Sequence, residues 1–180
     1  MKYLIKVIGA IIISQYCYSQ RIDLSVTERY FQLTDSLREN IPLSDESWNS
    51  FIEMNGMRQY ISNQHLELEM DGYRQSMEYV YMPQHDNLLQ QFLKQPDIYN
   101  KTYLVYQYRE LETELKNYIR QIRNRPDIYL DSMYENAYSM LPYKRQLTSI
   151  TTNIYFVPLF EVPAADNYDI LLSLYGNYYL

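Results

Sequence analysis

Ile154-Tyr155-Phe156-Val157-Pro158, taken with Ile170-Leu171-Leu172-Ser173-Leu174, is where the period of the chain changes. Both runs are short and apolar, bounded by Pro158 and by the polar stretch from Pro163 to Asp169, and this predicts two strands. Upstream of Pro142 the apolar residues recur at helical spacing instead. The fold expected is therefore mainly α (α+β): a helical array of about six or seven helices followed by a short C-terminal β-hairpin. Two strands by themselves are marginally stable in water and need a third strand or a helix packed on them. On this reading the sheet is unfinished when the chain stops, and the domain is expected to be C-terminally truncated. Bare apolar surface near Phe160 and Leu171 would then drive self-association.

Working outward, Ser25-Val26-Thr27-Glu28 reads as a capping box opening a helix over about residues 25–39, with Val26, Tyr30, Leu33 and Leu37 on one face. Pro42 breaks the chain and Ser44 caps a second helix, whose dipole favours Asp45 and Glu46 in its first turn. Trp48, Phe51 and Ile52 give that helix its apolar face, and Asn55-Gly56 is predicted to end it. A longer helix over about residues 63–81 carries Leu66, Met70, Tyr73, Met77 and Val80, and Pro83 stops it. A short helix follows over about residues 86–94. Leu111, Leu115, Tyr118 and Ile122 mark another helical face, with Glu112 and Lys116 as an exposed i,i+4 ion pair. Leu130, Met133, Ala137 and Met140 mark the next. Pro-Asp-Ile-Tyr occurs at 96–99 and again at 126–129, but the residues after each copy do not match, so the phrase is a repeated helix start and no solenoid.

Composition bounds the rest. With 180 residues, 47% of them hydrophobic, and only 4 Gly and 7 Pro, the chain makes one domain with a real core. A net charge of −6 repels a phosphate backbone and disfavours nucleic acid as a partner. Residues 1–19 have the layout of a secretory signal peptide: Lys2 and Lys6, then an apolar run through Ile13 that is too short to span a membrane, then polar residues. Cleavage between Ser19 and Gln20 is expected, leaving residues 20–180 as a single, mainly helical, exported domain, periplasmic or secreted, with no transmembrane helix. Lipid anchoring at Cys17 is disfavoured because Tyr16, not a small residue, precedes it. Cleavage would remove Lys2, Lys6 and the chain's one cysteine, taking the charge to −8 and leaving no disulfide, thiolate zinc site or cysteine nucleophile.

Chemistry-bearing patterns are scarce. His65 and Glu69 stand at i,i+4 on the expected helix, a spacing that lets two side chains grip one metal ion, yet a closed site needs two more ligands and none is evident. They are weak metal candidates. His85 is placed in a loop. There is no Gly-x-Ser-x-Gly elbow and no Gly-rich phosphate cradle. The acid pairs Glu67/Glu69 and Glu110/Glu112 diverge at i,i+2 on helices and read as solvated faces. No catalytic or cofactor-binding residue is assigned. Tyrosine is the compositional extreme, 22 in all. Such rings suit a helical binding face for a peptide or glycan partner, or simply a tyrosine-rich core.

Ile22-Asp23-Leu24-Ser25-Val26-Thr27-Glu28-Arg29-Tyr30-Phe31, Leu33-Thr34-Asp35-Ser36-Leu37-Arg38 and Pro42-Leu43-Ser44-Asp45-Glu46-Ser47-Trp48 resemble the start of a family of exported bacterial proteins described as putative zinc-dependent peptidases. The stretches 154–158 and 167–174 resemble the same family. The resemblance implies a helical N-terminal half, a small sheet, and then a helix whose His-Glu-x-x-His supplies zinc ligands and general base. These 180 residues contain no His-Glu-x-x-His. The resemblance is therefore to the non-catalytic half, zinc is implied for the full-length family only, and the expected function is that of an exported domain inactive by itself. The alternative is a binding protein with tyrosine-rich helical faces.

Overall fold

The computed structural model describes residues 20–97, 100–125, 152–158, 164–166 and 169–173. The leader, the helix expected at 130–140, the second Pro-Asp-Ile-Tyr phrase and Phe160 lie outside the described residues. Strand β1 (Gln20–Asp23) leads into α1 (Ser25–Arg38), α2 (Asp45–Ile52) and α3 (Asn55–Gln64). After a 3-10 turn at Glu67–Glu69 come α4 (Met70–Tyr81), a second 3-10 turn at Pro83–His85, α5 (Asp86–Phe92), α6 (Lys101–Glu110) and α7 (Glu112–Asn124). Strands β2 (Thr152–Val157), β3 (Ala164–Asp166) and β4 (Asp169–Ser173) complete the sheet. The fold is mainly α, with seven α-helices among the described residues.

Both expected strands form, but they are not each other's hairpin partners. The sheet has four strands in the order β1-β2-β4-β3. β2 runs parallel to β4, with Ile154 opposite Ile170, and parallel to β1, with Ile22 opposite Ile154. The C-terminal hairpin is β3 with β4, antiparallel, Ala165 opposite Ile170. The premise of an orphan two-stranded sheet is thereby corrected, and Leu171, expected to be bare, is buried.

Being central, β2 is buried throughout Ile154, Tyr155, Phe156 and Val157, which is why it reads as a continuous apolar run without alternation. Helices α1 and α3 pack against it. Thr27 in the first turn of α1 donates its hydroxyl to the Phe156 carbonyl at 2.8 Å, one residue past the last β1–β2 pair. Gly56 of α3 lies against Tyr155 so closely that a Cβ there would sit 3.0 Å from the Tyr155 Cβ. Gly56 is thus required for close approach near the start of a helix; it does not end one, and its φ is not positive.

The helix ends follow local chemistry, with two departures from expectation. Ser25 is the first helical residue and not the cap: the Asp23 carboxylate accepts from the Ser25 N–H at 2.9 Å, and Glu28 pairs with Arg123 instead of closing a capping box. Ser44 does cap α2, accepting from the Ser47 N–H at 3.1 Å. α1 closes with Asn40 left-handed (φ 63°), Asn40 N–H to Leu37 C=O and Ile41 N–H to Ser36 C=O, the Schellman pattern with Asn in the position usually held by Gly. The helix expected over 63–81 is broken in the same way: His65 is left-handed (φ 55°), and the Leu66 N–H bonds back to the Ile61 C=O.

Among the described residues, tyrosine goes chiefly to the core. Tyr30, Tyr60, Tyr73, Tyr81, Tyr108 and Tyr155 are buried. The Tyr30 ring meets Phe31, Tyr108 and Tyr81 edge-on at centroid separations of 5.7, 6.2 and 6.4 Å, the geometry that the ring quadrupole favours.

Candidate functional site

Ending α3 at His65 separates the two candidate metal ligands. His65 is the exposed residue that terminates one helix, and Glu69 is in the 3-10 turn beyond it, so they do not share a helical face. Glu69 also holds Lys101 at 2.8 Å. His85 is stacked on Tyr79 at a ring separation of 5.8 Å and lies 3.2 Å from the Gln84 amide nitrogen. Among the described residues no three His, Cys, Asp or Glu side chains are grouped so as to hold a metal ion. A zinc centre of the kind the resemblance implies does not fit the described donor set, because a zinc site draws three or four such ligands together.

The most concentrated electrostatics lie where α1, α4 and α7 meet. α7 begins at Glu112, where the helix dipole favours an acid, and the residue is only 5% exposed. A buried carboxylate must be paired. Arg38 of α1 grips it with both terminal nitrogens, one at 2.9 Å, and Lys116 lies 2.7 Å from its Oε1. Lys116 and Arg38 also share Asp35, at 3.2 and 3.0 Å. The Arg38 guanidinium stands 5.0 Å from the Tyr81 ring centre, and the Tyr81 hydroxyl meets the Tyr30 hydroxyl at 3.1 Å. The Glu112–Lys116 pair expected on an exposed face thus forms around a buried acid. Its hydrogen bond to Glu112 raises the Arg38 pKa, and burial raises those of Tyr30 and Tyr81 well above the usual phenol value. Among the described residues each of these four charges is met by another, and the ion pairs tie α1 to α7 while the Arg38–Tyr81 contact adds α4.

A cavity of about 290 Å³ opens between α2, α3 and the start of α4. Trp48, Ile52, Ile61 and Met70 give it an apolar lining, and Glu53, Arg58, Glu67 and Asp71 supply its charge. Each part follows from local structure. Trp48 and Ile52 are one turn apart on α2, Arg58 and Ile61 come from α3, and the turn released by left-handed His65 carries Glu67 to the cavity. The Trp48 side chain is buried, and its Nε1–H has no hydrogen-bond partner among the described residues. A second cavity, about 380 Å³, lies between β1, the start of α1 and the end of α7, with the Glu28–Arg123 pair in its lining. Neither cavity was anticipated from sequence. Sequence spacing puts Trp48 on an apolar face and Glu67 on a solvated one, and the helix break at His65 lets both line one cavity.

Of the tyrosines on α6, Tyr108 is buried, while Tyr103 and Tyr106 are half-buried with ring centres 6.4 Å apart. No helix among the described residues is long and apolar enough to cross a membrane.

No curated protein and no solved structure matches the chain. A family match does exist: it takes in the stretches 154–158 and 167–174 that carried the resemblance and begins at Trp48, so the phrases at 22–38 and 42–47 lie ahead of it. Because the model of the family described as putative zinc dependent peptidase (DUF5700) covers residues 48–180, about three quarters of the sequence, the chain belongs to that family.

Proposed function

We propose that these 180 residues form an exported domain of the zinc-dependent peptidase family that does not hydrolyse peptides by itself, and that they correspond to the part of the family fold preceding a zinc-binding helix. The observation that carries the reading is the donor inventory. The sequence holds two histidines, His65 and His85, and no His-Glu-x-x-His. His65 terminates a helix and His85 is stacked on Tyr79, and neither joins a group of three metal-binding side chains among the described residues. Export rests on the leader-like layout of residues 1–19, and Gln20, the expected mature N-terminus, is the first residue of β1.

Zinc titration by calorimetry, paired with a casein digestion assay with and without chelator, tests the reading. The expected result is no stoichiometric tight zinc binding and no chelator-sensitive digestion. Tight binding that disappears in His65→Gly, a variant that keeps the left-handed helix end, would overturn it. The half-exposed Tyr103–Tyr106 pair favours a second reading, recognition of peptide or glycan by a tyrosine-bearing helical face. Ligand binding that is lost in the Tyr103→Ala, Tyr106→Ala double variant would support that one.

A further inference from the structure

We propose that the cavity beside Trp48 is a docking site for a basic side chain of a polypeptide, an arginine or lysine followed by an apolar residue. This holds whether or not the 180 residues hydrolyse anything. Charge pairing gives the first argument. Arg38, Arg74, Lys101, Arg109, Lys116 and Arg123 each hold a carboxylate of this chain. Around the cavity, by contrast, Glu53, Glu67 and Asp71 form no ion pair among the described residues, and neither does Arg58. Three acids against one base leave the opening negative, which attracts a cation and repels an anion.

Shape and surface give two more. At about 290 Å³ the cavity is at the small end for ligand sites and suits one side chain better than an extended polymer. Its apolar walls, Trp48, Ile52, Ile61 and Met70, match the aliphatic stem of arginine or lysine, whose charged head stays at the acidic rim. The neighbour of Glu67, Leu68, is 99% exposed, a large apolar side chain held out in a tight 3-10 turn where it gains nothing from the core. A flanking apolar residue of the incoming segment would cover it.

Trp48 is the chain's single tryptophan, so its fluorescence reports the site directly. The full chain is titrated with acetyl-Ala-Arg-Leu-Ala-amide and with the same peptide carrying Gln or Glu in place of Arg. The expected result is a saturable change in Trp48 emission with the Arg peptide, weaker with the Gln peptide and absent with the Glu peptide. Glu67→Gln and Asp71→Asn should each weaken binding by roughly two- to fivefold, the scale of an exposed ion pair, and added salt should weaken it further. Arg58→Gln should tighten it by a similar factor, an effect opposite to that of a merely structural defect. Leu68→Ser should weaken it without changing the salt dependence. No saturable change with the Arg peptide, equal response to all three peptides, or weaker binding in Arg58→Gln would each overturn the proposal.

Discussion

Replacing Gly56 with alanine tests how tightly α3 rests on the sheet. The new methyl carbon would lie 3.0 Å from the Tyr155 Cβ and 3.1 Å from its Cγ and Cδ1, well inside the roughly 3.5–4.0 Å at which carbon atoms pack favourably. Relief by moving Tyr155 is hindered, since its Cβ is fixed to the central strand, paired with Asp23 of β1 on one side and Leu171 of β4 on the other. α3 would have to lift instead, opening the contact between helix layer and sheet. Overpacking of this kind costs about 1–3 kcal/mol. Alanine recovers at most about 1 kcal/mol of helix propensity over glycine, and less in a first turn. The expected net loss is about 1–2 kcal/mol, a fall in Tm of roughly 2–8 °C for a chain of this size. Urea denaturation followed by circular dichroism measures it, and repeating the substitution in a Tyr155→Ala background should shrink the cost, because two of the three contacts go with the ring. A Gly56→Ala protein as stable as the parent, or a cost unchanged without the Tyr155 ring, would refute the argument from close approach.

The remaining predictions concern the buried acid, the left-handed histidine and the core phenols. Glu112→Gln removes one side of a buried pair, which costs about 3–5 kcal/mol when the orphaned charge stays buried. Arg38 and Lys116 are 39% and 35% exposed and can turn to water, so a loss of about 2–3 kcal/mol is expected in urea melts, and one under about 0.5 kcal/mol would show that the cluster does not tie the helices. His65→Val should cost about 1–2 kcal/mol because a β-branched residue resists the left-handed conformation, while His65→Gly should be neutral or stabilising. Equal melting temperatures for the two variants would contradict that role. Burial raises the Tyr30 and Tyr81 pKa values above those of the unfolded chain. Below about pH 10 both states keep these protons and stability is unaffected; above it the unfolded state releases them first, so stability falls as pH rises. Tyrosinate absorbance should then include a component that appears only together with unfolding, and Tyr81→Phe should reduce the alkaline loss.

Elements whose signals are local could be read from sequence. The faces Val26, Tyr30, Leu33, Leu37 and Leu115, Ile122 are buried as their spacing requires, Ser44 caps α2, and Pro83 stops α4. What escaped is set by partners far along the chain. Gln20-Arg21-Ile22-Asp23 is too short to show alternation and becomes a strand only because β2, about 130 residues later, runs beside it in parallel. Without β1 the two apolar runs could be joined only as a hairpin, and the sheet looked unfinished. Asn55-Gly56 carries the commonest helix-ending signal, whereas the reason for Gly56 is the Tyr155 side chain opposite.

The candidate cavity was illegible for a different reason. Its charged residues, Glu53, Arg58, Glu67 and Asp71, are exposed and individually indistinguishable from a solvated helix surface. A continuous helix over 63–81 would have carried Glu67 around with Leu66 and Met70 at fixed angles. The break at His65 lets the turn Glu67–Glu69 leave that register, directing Glu67 to the cavity and leaving Leu68 in solvent. The residue most tempting as a metal ligand therefore acts through its backbone: left-handed histidine is uncommon but accessible, and here it decides where an acid and an exposed leucine stand. It follows that His65→Val should disturb Trp48 emission as well as stability, whereas His65→Gly should leave both intact. That outcome would separate the conformational role of His65 from any role of its imidazole.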